Sequence, residues 1–162
     1  MNTLRKALIP ALAMTMALAA CSKDDATPVV ETEAPSAPAA PVGLPRSDAA
    51  DGARVFFITP ADGDTVTSPV TLEFGLEGMN VVPAGTEAPH SGHHHLLVDT
   101  GMPALDLPIP ADANHIHFGD GSTSTTLELA PGEHTLQLLL GDHLHIPHEP
   151  PVASETITVT VE

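Results

Sequence analysis

Histidine offers the most chemistry in this chain of 162 residues. All ten histidines lie between His90 and His148. A neutral imidazole is the commonest nitrogen ligand of zinc and copper in proteins. The stretch 90–148 is therefore where a metal site would be built.

The spacing His-x-His occurs three times within this stretch. The pairs are His93/His95, His115/His117 and His143/His145, and His148 follows the third pair. Residues i and i+2 of a strand point to the same side, about 6 to 7 Å apart, so two such imidazoles can bind one ion. We therefore predict these seven residues as metal ligands. Zinc or copper(II) suits imidazole and carboxylate donors and is the predicted cofactor.

The order of the predicted strands brings these pairs together. His93 lies at the start of one strand, and His145 follows the end of another. If the two strands are antiparallel, both residues lie at the same end of the domain, and the loop 100–114 is long enough to return His117 to it. The decisive observation is whether four imidazoles converge: those of His93, His95, His117 and His145.

Five further residues are predicted to orient a ligand or to brace the fold. They are His94, His134, Asp99, Asp142 and Glu149. A carboxylate beside a ligating histidine can accept its second N–H and fix the ring. His134 alternates in phase with leucines, which predicts a side chain directed towards the core. The alternative for the whole set is a group of surface histidines that respond to pH.

Alternating apolar and polar residues predict an all-β domain over residues 51–162. The clearest alternation is at 70–76 and at 155–161, and 125–129 with 134–140 form a predicted hairpin around Pro131-Gly132. About seven short strands favour a β-sandwich of the immunoglobulin type, with a small barrel as the alternative.

The first residues resemble a bacterial lipoprotein signal. Two basic residues precede an apolar run that ends in Leu18-Ala19-Ala20-Cys21, which resembles the lipobox. The resemblance implies a signal peptide over 1–20, cleavage before Cys21 and attachment to a membrane through a lipid on Cys21. Residues 21–50 are rich in Pro and Ala and are predicted to be a disordered tether. Ser22 implies sorting to the outer membrane of the cell envelope, facing the periplasm, over retention at the inner membrane.

Cysteine and charge restrict the chemistry further. Cys21 is the only cysteine, so a lipidated chain has no thiolate for metal binding or for nucleophilic attack. The formal net charge is −16, with only five Lys and Arg, and nucleic acid is therefore not an expected partner.

Five segments resemble, in order and spacing, the bacterial family known as domain of unknown function 4399. They are SGHHHLLVD (91–99), IP (109–110), HIHFGDG (115–121), LAPGEHTLQL (129–138) and HIPHEPPVAS (145–154). The resemblance covers residues 54–161 and implies a small exported protein. It implies no activity, and it includes His134 in the recurring pattern.

Three functions compete at this point. The first is a non-catalytic metal-binding lipoprotein that sequesters or delivers its ion. The second is a metalloenzyme in which three histidines leave one coordination position open. The third is an immunoglobulin-like scaffolding or interaction module, although the absence of Trp and Tyr disfavours a protein or glycan interface. The sequence assigns no catalytic residue and identifies no protein partner.

Overall fold

The structure is a computed structural model, and it describes residues 43–162. The predictions for the signal peptide, for lipidation of Cys21 and for the tether up to residue 42 lie outside the described residues. Residues 43–162 contain strands and no helix, so none of their segments is a helix able to cross a membrane.

Nine strands make up this part of the chain. They are β1 (Arg54–Thr59), β2 (Thr65–Val66), β3 (Val70–Glu77), β4 (Asn80–Val81), β5 (Ser91–Val98), β6 (His115–His117), β7 (Ser124–Leu127), β8 (Gly132–Gly141) and β9 (Ile157–Val161). The small sheet has the order β1-β3-β7, and the large sheet has the order β2-β9-β8-β5-β4, with β6 also paired to β5. The predicted all-β sandwich is confirmed. The count exceeds about seven because β2, β4 and β6 are too short to show a period of two.

The main core lies between the two sheets. Leu72 and Phe74 of β3 face Leu96 of β5 and Leu138 of β8, and all four are almost fully buried. Burying each such side chain stabilises the fold by about 1.5 to 3 kcal/mol. Leu72 and Phe74 alternate with exposed residues along β3, so the period of two determines which side of this strand faces the core.

Strand β5 is buried along its whole length on both faces. Leu96 belongs to the main core, whereas Leu97 belongs to a second apolar cluster with Ile109 and Leu139. Ile109 lies in the loop between β5 and β6, and it packs on the outer face of the large sheet. The proline-rich loops therefore form a third layer there, which explains why β5 has no solvent-facing side.

Residues 44–49, here called the strap, are hydrogen-bonded to the domain. Leu44 N–H donates to the Asp106 carbonyl, and Ala49 N–H donates to the Glu149 carbonyl at 2.9 Å. Glu149 N–H in turn donates to the Ser47 carbonyl. The last residues of the predicted tether (21–50) are therefore packed on the domain. The prediction missed this because composition alone does not indicate hydrogen-bond partners for the backbone.

Candidate metal centre

His93 and His95 project from β5 on the outer face of the large sheet. They are two residues apart on a strand and therefore share a side, and their ring centroids are 4.9 Å apart. Their exposed fractions are 0% and 1%. The pair thus lies beneath the loop layer, with its rings fixed by the strand that carries them.

His117 joins this pair from β6. Strand β6 runs antiparallel to β5 and places His117 directly opposite His95. The ring of His117 lies 5.0 Å from that of His95 and 4.9 Å from that of His93. Each of the three residues offers a donor nitrogen, and these atoms lie within 4.8 Å of one another. This group could hold a metal ion.

His145 completes a group of four, and we call His93, His95, His117 and His145 the histidine tetrad. Its ring centroid lies 4.8 Å from that of His93, 4.8 Å from that of His117 and 5.9 Å from that of His95. It reaches this position because β8 is antiparallel to β5, with Gly141 opposite His93. The four rings thus approach one another, and three of them, those of His93, His95 and His117, offer nitrogens within 4.8 Å of one another.

The turn after β8 holds His145 in an unusual backbone conformation. Its φ is 67°, in the left-handed region that favours glycine. The Asp142 carboxylate accepts hydrogen bonds from Leu144 N–H at 2.8 Å and from Ile146 N–H at 3.0 Å, and Ser47 Oγ donates to its other oxygen. Asp142 therefore orients His145 through the backbone, and the strap supports Asp142.

Two glycines leave room for the imidazoles. A Cβ on Gly141 would lie 2.7 Å from Cε1 of His95, and a Cβ on Gly119 would lie 2.9 Å from Nε2 of His117. Neither distance is compatible with the ring positions. The sequence could not identify these two glycines as part of the site, because their role depends on imidazoles that come close only in the folded chain.

Burial favours the neutral form of three imidazoles, those of His93, His95 and His117. It lowers the pKa of His93 to about 4 and the pKa of His95 to about 2, and the neighbouring histidines add to both shifts. The pKa of His117 is lowered by burial and by the proximity of His145. A metal ion binds neutral imidazole, so these three side chains are in their binding form at neutral pH.

Several buried nitrogens of the tetrad lack a partner. Both ring nitrogens of His93 and Nδ1 of His95 have no hydrogen-bond partner among residues 43–162. A buried polar group left in this way costs about 1 to 3 kcal/mol. Coordination to a metal would give such nitrogens a partner. Both nitrogens of His94, on the opposite face of β5, also lack one, so it is the mutual approach of the rings that distinguishes the tetrad.

Three predicted ligands lie outside the tetrad. His115 is two residues from His117, opposite Leu97, and its Nδ1 is bonded to the Asp112 carboxylate at 2.8 Å. His148 is buried and directs Nε2 to the Ser91 carbonyl at 3.1 Å. His143 follows Asp142 beyond the end of β8 and lines an open groove of about 490 Å³ together with His90. Register and turns thus separate His115, His143 and His148 from the four rings that approach one another.

His94 lies on the opposite face of β5 from the tetrad. Its ring is fully buried and meets the Phe74 ring edge-on at 4.8 Å. Burial lowers its pKa to about 4. The neutral His94 ring therefore packs in the main core and supports the fold, as one of the two predicted roles required.

His134 and Asp99 form a clamp between the end of β5 and β8. His134 Nδ1 lies 2.7 Å from Asp99 Oδ2, and its Nε2 lies 2.9 Å from the Ala130 carbonyl oxygen. Both ring nitrogens thus donate, and the Asp99 and Ala130 hydrogen bonds raise the pKa of His134. Glu149, by contrast, pairs with Arg46 of the strap. None of these three residues belongs to the tetrad.

A layered β-sandwich that carries three closely spaced imidazoles, two buried and one exposed, defines a class of candidate metal-binding proteins. The model of the family described as domain of unknown function (DUF4399) matches residues 72–162. The chain belongs to this family, and the matched region contains the whole tetrad. Comparison with curated proteins and with solved structures gave no match.

Proposed function

We propose that this chain is an exported lipoprotein whose domain binds a divalent transition metal, zinc or copper(II), to sequester or deliver it without catalysis. The ligands are His93, His95, His117 and His145. The lipid on Cys21 would hold the domain at the outer membrane, and the residues before the strap would serve as the tether.

One observation carries the metal-binding proposal: the mutual approach of four imidazoles from three separate parts of the chain. Five of the six ring separations are between 4.8 and 5.0 Å. His148 and His134 have hydrogen-bond partners of another kind, and His94 packs against Phe74 with both nitrogens unpartnered among the described residues. The tetrad differs from all three because its rings face one another.

The charge of the chain supports the same function. A formal net charge of −16 produces a field that attracts cations towards the domain. The tetrad itself contributes no negative charge, so affinity at the site depends on imidazole nitrogen, which favours transition metals over calcium or magnesium.

The test is equilibrium dialysis of the purified protein against zinc and copper(II), with elemental analysis. We expect one ion per chain at micromolar or tighter affinity, and a loss of at least about 100-fold in the His117→Ala variant. His143→Ala is the matched control, since it removes a nearby histidine outside the tetrad and should bind as the unmodified protein does. Millimolar affinity for every ion, or equal affinity in His117→Ala, would refute the proposal.

Attachment through Cys21 needs a separate test. Mass spectrometry of the N-terminal peptide from envelope fractions should show Cys21 as the first residue, carrying acyl chains. A soluble protein with an unmodified Cys21 would overturn the anchoring proposal and leave the metal proposal standing.

A further inference from the structure

We propose that the tetrad is a closed tetrahedral shell: all four imidazoles bind one zinc-type ion and leave no position for water or substrate. This inference rests on the proposed metal binding and extends it, because it fixes the coordination number and the class of ion. A closed shell stores or transfers an ion, whereas an enzyme needs an open position.

Ring separations distinguish the possible geometries. With zinc–nitrogen bonds of about 2.0 Å and ring centres about 1.1 Å behind each nitrogen, four tetrahedral imidazoles have centroids about 5.1 Å apart. A square-planar set would have four separations of about 4.5 Å and two of about 6.3 Å. The tetrad has five separations of 4.8–5.0 Å and one of 5.9 Å. It is therefore nearer to the tetrahedron.

His145 decides between three and four protein ligands. Its ring is as close to those of His93 and His117 as these are to each other, and only the separation from His95 is longer. That excess over the tetrahedral value is about 0.8 Å, and the donor nitrogens that lie within 4.8 Å of one another belong to His93, His95 and His117 alone among the described residues. The closed shell therefore requires the half-buried His145 side chain to rotate towards His95 when the ion binds, so that its ring takes the place that water has in a three-histidine site.

The surroundings oppose rearrangement towards a flat geometry. His93 and His95 are buried on a strand that is hydrogen-bonded on both sides, and Gly141 packs against the His95 ring. Copper(II) prefers tetragonal coordination, which has four separations of about 4.5 Å and two of about 6.3 Å, and the five nearly equal separations of the tetrad do not match this pattern. Zinc has no such preference and accepts the tetrahedron.

The donor set defines the class of ion further. Four neutral nitrogens without carboxylate or thiolate do not suit calcium or magnesium, which take oxygen ligands. The domain offers no thiolate for copper(I), since Cys21 lies in the first part of the chain. Zinc and cobalt(II), which can replace it as a spectroscopic probe, remain.

The experiment uses cobalt(II)-loaded protein and azide as a small added ligand. We expect the intense visible absorption of four-coordinate cobalt, unchanged by azide. His145→Gly suits the left-handed backbone at this position, and it should open the shell, so that azide then shifts the spectrum. X-ray absorption of the zinc form should show four nitrogens at about 2.0 Å.

Each outcome bears on one of the two proposals. An azide response in the unmodified protein, a six-coordinate cobalt spectrum or an unaltered spectrum in His145→Gly would overturn the closed shell while metal binding stands. Failure of the unmodified protein to take up zinc or cobalt would refute metal binding itself. His143→Gly controls for the removal of a histidine from the same turn.

Discussion

His145 shows a conflict between local stability and ligand placement. A φ of 67° costs a residue with a side chain about 1 to 2 kcal/mol relative to glycine. The cost is tolerated because Asp142 fixes the turn. The imidazole thus reaches the tetrad from a backbone conformation that favours glycine.

We therefore expect His145→Gly to be more stable than His145→Ala by about 1 kcal/mol without metal, because only Ala retains the strain. Denaturant unfolding of both variants in chelator would measure this. At His117, on strand β6, the order should reverse, since Gly weakens a strand. Equal stability of the two His145 variants would mean that the backbone is not strained there.

Gly119 provides a second prediction at the residue scale. Its φ is not in the left-handed region, so Ala is compatible with the backbone, but the new methyl would collide with Cε1 of the exposed His117 ring, which would have to move. Gly119→Ala should lower zinc affinity by at least about tenfold with little change in unfolding free energy. Gly101→Ala, which meets no neighbour within 4 Å, is the control. Unchanged affinity in Gly119→Ala would show that His117 is not a ligand.

At the scale of elements, the strap connects the N-terminal segment to the turn that carries His145. The connection is the hydrogen bond from Ser47 Oγ to Asp142, supported by Arg46, which donates to the Pro147 carbonyl at 2.9 Å. Residues outside the family match thus support the turn that carries His145, a proposed ligand inside the match.

Ser47→Ala should therefore weaken zinc binding several-fold, because the turn around His145 loosens, and should cost about 1 kcal/mol of stability. Titration calorimetry would measure the affinity. Ser68→Ala is a matched control, since its hydroxyl donates to the Glu128 carboxylate and accepts from Leu129 N–H, beside the small sheet. Equal losses of affinity in both variants would exclude a specific role for the strap.

The clamp of His134 and Asp99 predicts how stability depends on pH. The pKa of His134 is raised by its hydrogen bonds to Asp99 and Ala130, so its contribution is full below 6.5 and is lost as pH rises through the folded value. Burial raises the pKa of Asp99, but hydrogen bonds from His134 and Thr135 lower it overall, so its contribution is present above 3.8 and is lost in stronger acid.

The stability difference between the unmodified protein and His134→Gln should thus be largest between pH 3.8 and 6.5 and should shrink at higher pH. Its size should stay below about 1 kcal/mol, because both groups are partly exposed. Denaturant unfolding across this range would measure it. A difference that grows above pH 7 would contradict the clamp.

The sequence predicted the strands that carry the site better than it predicted which histidines belong to it. The His-x-His spacing and the antiparallel order of β5 and β8 were enough to bring the tetrad together. They could not separate His117 from His115, because both lie on the same strand and only the register with β5 decides. The strap could not be predicted either, since it is held mainly by backbone hydrogen bonds and lies in a stretch whose composition predicts a tether.

At the scale of the whole molecule, bound metal should stabilise the fold. Ligands come from β5, β6 and the turn after β8, so the ion links parts that separate on unfolding. Zinc at 100 times its dissociation constant should add about 2.7 kcal/mol, seen as a rise of several degrees in Tm that chelator reverses. His117→Ala should show no rise, and a zinc response equal to that of the unmodified protein would place the ion elsewhere.

The wide spacing of the ligands along the chain also sets an order of events. The tetrad spans residues 93–145 and depends on the register between three strands, so an unfolded chain has no equivalent site and folding must precede loading. A protein that crosses a membrane unfolded would then leave its synthesis compartment without metal. The amount of zinc bound to the folded protein would then depend on the free zinc concentration of the compartment in which it folds.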